Sequence, residues 1–222
     1  MSDPDDRPTQ VGSDAGDGDR PPTAFVPAHV TGFFTAEPAN DPTKAGSTGA
    51  GLALSDGVTV RVEPATPGTY EVLLDREPMD IEAPKRVLQA LRVDGARVYA
   101  RSEVPLASGF GVSGALALGT ALCANAVFDG ELSENELVTV AHGAEVQAGT
   151  GLGDVVAQAR GGVPVRLEPG APAEGVMDGI PARSRVEYVT LGELPTAEVL
   201  SGDTEELTHA GERAPPALVQ AP

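Results

Sequence analysis

The sequence predicts an α+β domain, and two observations carry that expectation. Strand-like patterns fill the first half and helix-like patterns the second, rather than alternating as a βαβ repeat would. A glycine-rich turn between Pro105 and Ala115 also runs straight into a small-residue helix, and a second helix follows with no strand between them.

The elements follow in chain order. Met1 to Pro22 is rich in Asp, Gly and Pro and lacks aromatic residues, the composition of a disordered, solvating tail. Ala24 to Phe34 reads as a strand. Thr35 to Ala50 reads as a long Gly/Pro/Ser/Thr loop, long enough to suspect function. Gly57 to Glu63 and Thr69 to Leu74 alternate as strands, with Pro64 to Gly68 as a turn. Glu82 to Arg92 reads as a short helix and Arg97 to Arg101 as a strand. Helices are expected at Val112 to Phe128, Glu134 to Ala148 and Gly153 to Ala159, the second opened by a Ser133-x-x-Glu136 capping box. Val163 to Leu167 and Arg185 to Leu191 read as further strands, and Thr196 to Gly211 as a helical segment before a Pro/Ala tail, Glu212 to Pro222. The expected division is a tail at 1–22, a main domain at 23–184 and the start of an incomplete second α/β domain at 185–222.

Composition excludes some function classes. Asp plus Glu total 33 against 15 for Lys plus Arg, a formal net charge of −18. Lys44 and Lys85 are the only lysines. So acidic and lysine-poor a chain fits a surface kept hydrated in very high salt, with self-repulsion destabilising it where screening is weak. The charge argues against nucleic acid or an anionic membrane as partner. The lone Cys123, in an Ala/Leu-rich helix, reads as a buried small hydrophobe and fits a reducing cytoplasm. No segment approaches the roughly 20 apolar residues that span a bilayer, and the first residues lack a signal core.

The stretch Pro105-Leu-Ala-Ser-Gly109-Phe-Gly111-Val-Ser113-Gly114-Ala115 carries the chemistry. A glycine-rich turn aims free N–H groups outward, and the following helix N-terminus adds partial positive charge, so the natural guest is phosphate. The bland alternative is a tight strand-to-helix turn. Gly109, Gly111 and Gly114 satisfy G-x-G-x-x-G, but a dinucleotide site needs a strand ending in an acidic residue soon after the helix, and none follows. No Gly-Lys-Ser/Thr follows either, which excludes a Walker loop.

The remaining pattern resembles the phosphate loop of the GHMP small-molecule kinases. Phe25-Val-Pro27-Ala28-His29-Val-Thr31-Gly32-Phe-Phe34 is similar to the first motif of archaeal pantoate kinases, Pro-Gly-His-Ile-Thr-Gly-Phe-Phe, with Ala28 where that family has glycine. Asp41-Pro-Thr-Lys44-Ala-Gly46-Ser47-Thr-Gly49-Ala-Gly51, Ala141-His142-Gly-Ala-Glu145-Val and Thr150-Gly-Leu-Gly153-Asp154-Val-Val-Ala-Gln158 resemble later blocks of that family, in order. The resemblance implies the GHMP amino-terminal domain, a fold like ribosomal protein S5 domain 2. It implies phosphorylation of pantoate from ATP and Mg²⁺ on the archaeal route to coenzyme A, in a haloarchaeal, C-terminally truncated member. Another GHMP acceptor (shikimate, homoserine or mevalonate) and an inactive nucleotide-binding remnant are the alternatives. A strand at Arg185 to Leu191 stripped of its cover would promote self-association, a homodimer included.

The resemblance also assigns roles. Pro105, Ser108, Gly109, Gly111, Ser113 and Gly114 would contact the nucleotide. Asp154 would orient or deprotonate the accepting hydroxyl; a plain helix N-cap is the other reading. Glu145 and Ser113 would hold Mg²⁺, which takes one or two carboxylates plus substrate phosphates; a solvated helix flank and a helix cap are their alternatives. Mevalonate-type relatives have paired serines in this loop, and Val112 occupies the first place here. Substrate contacts fall to His29, Lys44 and Ser47, with Lys44 meeting the carboxylate; a buried structural histidine and a solvated lysine are the bland readings.

Overall fold

The computed structural model describes residues 10–12, 21–182 and 184–190 of the 222. Among them eight strands form one mixed sheet and four helices pack against it, the expected α+β class. The sheet runs β1-β2-β3-β6-β4-β5, and β7 with β8 branches from β3.

The spine is a long antiparallel hairpin of β2 (Thr23–Glu37) and β3 (Gly46–Pro64), in register from Thr23 opposite Arg61 to Glu37 opposite Gly46. Shifts in register between Pro27 and His29 and between Thr31 and Phe33 bend it. The later half of β3 pairs with β6 (Ala96–Ser102), from Val58 opposite Ser102 to Pro64 opposite Ala96. The earlier half meets β7 (Val163–Glu168) at Gly49 opposite Arg166 and Ala50 opposite Val165. β4 (Tyr70–Leu74) lies parallel to β6, a pairing that needs a crossover. That crossover holds β5 (Glu77–Met79) and α1 (Glu82–Ala90). β8 (Val176–Ile180) closes the branch on β7, and β1 (Gln10–Gly12) pairs with Thr23–Phe25.

Alternation sets the inner face. Val58, Val60 and Val62 of β3 and Ala96 and Val98 of β6 are buried, while Thr59 and Arg101 between them are exposed. α2 (Val112–Val127) lies on that face and is buried at every residue from Gly114 to Ala124. A helix apolar all round belongs in the interior. Its Cys123 thiol donates to the Val60 carbonyl at 3.2 Å, and burial pushes that thiol up to about 12, so it stays a neutral core group. α3 (Glu134–Ala148) and α4 (Asp154–Arg160) complete the layer, and α3 begins with the expected capping box between Ser133 and Glu136.

Four expectations change. Half of Thr35 to Ala50 is strand: β2 continues to Glu37 and β3 starts at Gly46, because cross-strand pairing holds glycines that composition alone assigns to a loop. Only the tip turns, with Asp41 Oδ1 accepting from the Thr43 amide and hydroxyl at 2.9 and 2.7 Å. Arg185 to Thr190 joins no ladder among the described residues; instead Tyr188 rests on Phe110 with ring centroids 4.6 Å apart. Within the segment read as a tail, Gln10–Gly12 is a strand. Neither β5 nor β8 is anticipated, being three and five residues long and interrupted by Pro78 and Gly179. Leu191 and the segment Thr196 to Gly211 lie outside the described residues.

Candidate active site

The turn between β6 and α2 opens onto a cavity of about 340 Å³. Gly109, Gly111, Ser113 and Gly114 line it, together with Met79, Ile81, Thr150 and Asp154. Gly109 and Gly111 take φ of +79° and +65°, the left-handed region that glycine tolerates. A Cβ at 109 would meet nothing within 4 Å, so that edge of the turn is open to a ligand. The first amides of the sixteen-residue α2 point the same way. Pro105 and Ser108 are not on the lining; Pro105 is exposed and the Ser108 hydroxyl donates to the Leu106 carbonyl at 3.2 Å.

Glu145 comes from the last turn of α3 and is 2% exposed. Its Oε1 accepts from the Ser113 hydroxyl at 2.6 Å and from the Thr150 hydroxyl at 2.8 Å. Its Oε2 is buried with no hydrogen-bond partner among the described residues. Burial pushes this carboxyl up to about 7; the two hydroxyls pull it down, and the charge of Asp154 adds to the rise. A buried carboxylate oxygen with no partner is costly, and a cation there would remove the cost. The donors fit Mg²⁺: hard oxygens, one buried carboxylate with a hydroxyl beside it, and open space for phosphate and water. Among the described residues no cluster of three His, Cys, Asp or Glu would cage a metal by itself.

Asp154 is the first residue of α4, after Gly151 and Gly153. The N-cap of this helix is Gly153, so Asp154 is its first residue and not its cap. Its Oδ1 instead meets Nδ1 of His29 at 2.8 Å. His29 is 1% exposed, held at the β2 bulge by its amide bond to the Phe110 carbonyl at 3.0 Å. Burial pushes the Asp154 carboxyl up, but the His29 hydrogen bond, the His29 charge and Arg166 outweigh it and hold it below the ordinary carboxylate range. Asp154 is therefore an ionised acceptor, while Glu145 is poised near neutrality. A Cβ at 151 would collide with Glu145 Oε2 and stand 3.8 Å from Asp154 Oδ2, so both carboxylates border one glycine.

Arg166 is the group that sequence reasoning misses. It sits on β7, 6% exposed, and its Nε has no hydrogen-bond partner among the described residues. A Cβ at 153 would collide with its guanidinium and come within 2.9 Å of the Ser47 hydroxyl, which donates to the Leu152 carbonyl at 3.3 Å. Arg166 and Ser47 thus meet beside the residue that precedes Asp154. Burial pushes the guanidinium down, and the Asp154 charge opposes that. The alternation Val163, Val165, Leu167 marks the apolar residues as the inner face, whereas Pro164 and Arg166 are the buried ones.

Of the residues singled out by sequence, the structure gathers Gly109, Gly111, Ser113, Gly114, Glu145, Asp154, His29 and Ser47 in one neighbourhood. Lys44 stays apart, with its side chain 58% exposed and its ammonium 3.9 Å from Glu174. His29 gives its Nδ1 to Asp154, and its Nε2 is buried with no hydrogen-bond partner among the described residues. His142 is buried against the Ala45 carbonyl at 2.8 Å, and burial, then Arg166, hold it below the ordinary histidine range.

Comparison with known proteins agrees with this geometry. Residues 81–162 match the family model for the GHMP kinases N terminal domain. The chain is 37% identical over 212 residues to a pantoate kinase of Thermococcus kodakarensis, covering 90% of this chain and 70% of that one. It is 31% identical over 204 residues to a pantoate kinase of Methanocaldococcus jannaschii, covering 89% and 73%. A solved phosphotransferase related to the CoA biosynthesis pathway superposes with a TM-score of 0.63 at 36% identity, over 71% of this chain and 56% of that one. The mevalonate kinase of Methanococcus jannaschii shares the fold, with a TM-score of 0.53 at 13% identity.

Proposed function

The chain belongs to the pantoate kinases, within the GHMP kinases, and on that footing we propose that it transfers the γ-phosphoryl group of ATP to the primary hydroxyl of pantoate, toward coenzyme A. One observation carries the reading. The phosphate-type turn and the ionised Asp154 line a single cavity, and the buried Glu145 lies directly behind it, hydrogen-bonded to the lining residues Ser113 and Thr150.

Phosphoryl transfer asks little covalent work of a protein and much positioning. The turn at Gly109 to Gly114 and the amides of α2 hold the phosphates. Glu145 and Ser113 would hold Mg²⁺, which neutralises phosphate charge when bound. The pantoate hydroxyl oxygen forms the new bond to the γ-phosphorus as the bond to the ADP oxygen breaks. Asp154, oriented by His29, accepts the hydroxyl proton. The acceptor's own carboxylate would be met by Arg166, a buried cation whose Nε has no partner among the described residues and which sits beside Gly153, in preference to Lys44, whose ammonium is 3.9 Å from Glu174. Residues 23–184 carry all these groups, and the chain spans 70% of its Thermococcus relative.

A coupled ADP-release assay over pantoate, shikimate, homoserine and mevalonate tests the assignment. Pantoate should dominate in kcat/KM. Preference for one of the other three acids would overturn the substrate assignment, and equal turnover of a pantoate analogue lacking the carboxylate would remove the role given to Arg166.

A further inference from the structure

We propose that Gln158 is a positioning residue that sets the register between the phosphate turn and Asp154. It touches neither substrate, and the inference rests on the phosphoryl-transfer reading above.

Gln158 lies one helical turn after Asp154 on α4, so both side chains leave the same face. It is fully buried, and its Nε2 donates to the Gly111 carbonyl at 2.8 Å. That carbonyl also accepts the Ala115 amide at 2.9 Å, so the bond falls on the first hydrogen-bonded turn of α2. The glycines of the turn record the same contact independently. A Cβ at 111 would stand 2.9 Å from Gln158 Nε2 and 3.4 Å from Asp154 Cβ. One at 114 would stand 2.9 Å from Gln158 Oε1 and 3.3 Å from Asp154 Cβ. Two of the three glycines of the motif are therefore needed by α4, and only Gly109 faces open space.

The consequence is mechanical. The turn carries the donor phosphate and α4 carries the group that orients the acceptor. Their separation fixes how far the hydroxyl oxygen stands from phosphorus, where near-attack contacts are about 3–3.5 Å and an error near 1 Å costs about a hundredfold. Packing of α4 on α2 leaves some slide along the helices, and a hydrogen bond to one carbonyl removes it.

Gln158→Met keeps the length and volume but has no donor, and Gln158→Glu keeps the shape but turns a carboxylate on the Gly111 carbonyl. Both are compared with the unaltered chain by amide hydrogen exchange at 109–114, by calorimetry with Mg·ATP and by kcat with pantoate, after circular dichroism shows the fold intact. Exchange at the turn should quicken about tenfold, kcat should fall about 10- to 100-fold, and the Kd for Mg·ATP should stay within about threefold. Should one variant fail to fold, the other decides. Unchanged exchange and kcat in Gln158→Met would reduce Gln158 to packing and overturn the proposal. If the unaltered chain shows no transfer to pantoate while exchange still quickens in the variants, the acceptor assignment fails and the register role stands.

Discussion

Glu145→Gln should abolish a pH dependence of stability that the structure places at one carboxyl. Burial raises Glu145 from an ordinary 4.5 to about 7. The folded state therefore binds a proton between those values that the unfolded chain has released. Stability contributed by this group is fully present below pH 4.5, declines as pH rises from there and is lost by about pH 7. At roughly 1.4 kcal/mol per pH unit, the ionised, metal-free protein gives up about 3 kcal/mol. In a chain of this size that is a Tm difference of roughly 6–12 °C. The assay is thermal unfolding of the original chain and of Glu145→Gln, with EDTA, in molar KCl, from pH 4.5 to 8. Subtracting the two curves cancels His142, whose lowered value acts in the opposite direction below its ordinary range. The original chain should lose stability relative to the variant as pH rises, and at pH 8 Mg²⁺ should restore it in the original chain alone. A flat difference curve would mean that Glu145 is not desolvated, and the argument that its vacant oxygen awaits a cation would fall.

Asp154→Asn should cut kcat by about 10² or more while calorimetry finds Mg·ATP binding near normal; near-normal turnover would make the carboxylate dispensable. Arg166→Met should raise the KM for pantoate about 10- to 100-fold, the worth of a buried charge-assisted hydrogen-bond pair, with the KM for ATP little changed. Raising KCl from dilute buffer to molar levels should raise Tm, because screening relieves repulsion in a chain of net charge −18; a flat or falling Tm would defeat the high-salt reading.

What was legible in the sequence is what local patterning controls. α3 matches its expected bounds because a capping box fixes its start and Gly149, at a φ of +70°, ends it. α2 follows from an apolar small-residue run after a glycine turn. The motif residues Ser113, Glu145 and Asp154 could be placed on elements before any coordinates. Their mutual geometry could not. The 2.8 Å contact joins His29 to Asp154 across 125 residues, and only the β2 bulge and the start of α4 bring them together. Arg166 was hidden for a related reason: the alternation on β7 suggests the wrong face, and pairing with β3 at Gly49 decides which residues turn inward. Lys44 was singled out for the rarity of lysine, and it stands at the surface with its ammonium 3.9 Å from Glu174.

The double pairing of β3 has an evolutionary reading. Its later half is built into the layer that leads to the phosphate turn, and its earlier half into the wing with Ser47 and Arg166. On the roles proposed above, one strand ties the phosphate turn to the residue offered for the acceptor's carboxylate. Substitutions in β7 that change acceptor preference are then expected to leave the affinity for ATP nearly unchanged. Such a layout would let one scaffold diversify its acceptors while its donor stays the same.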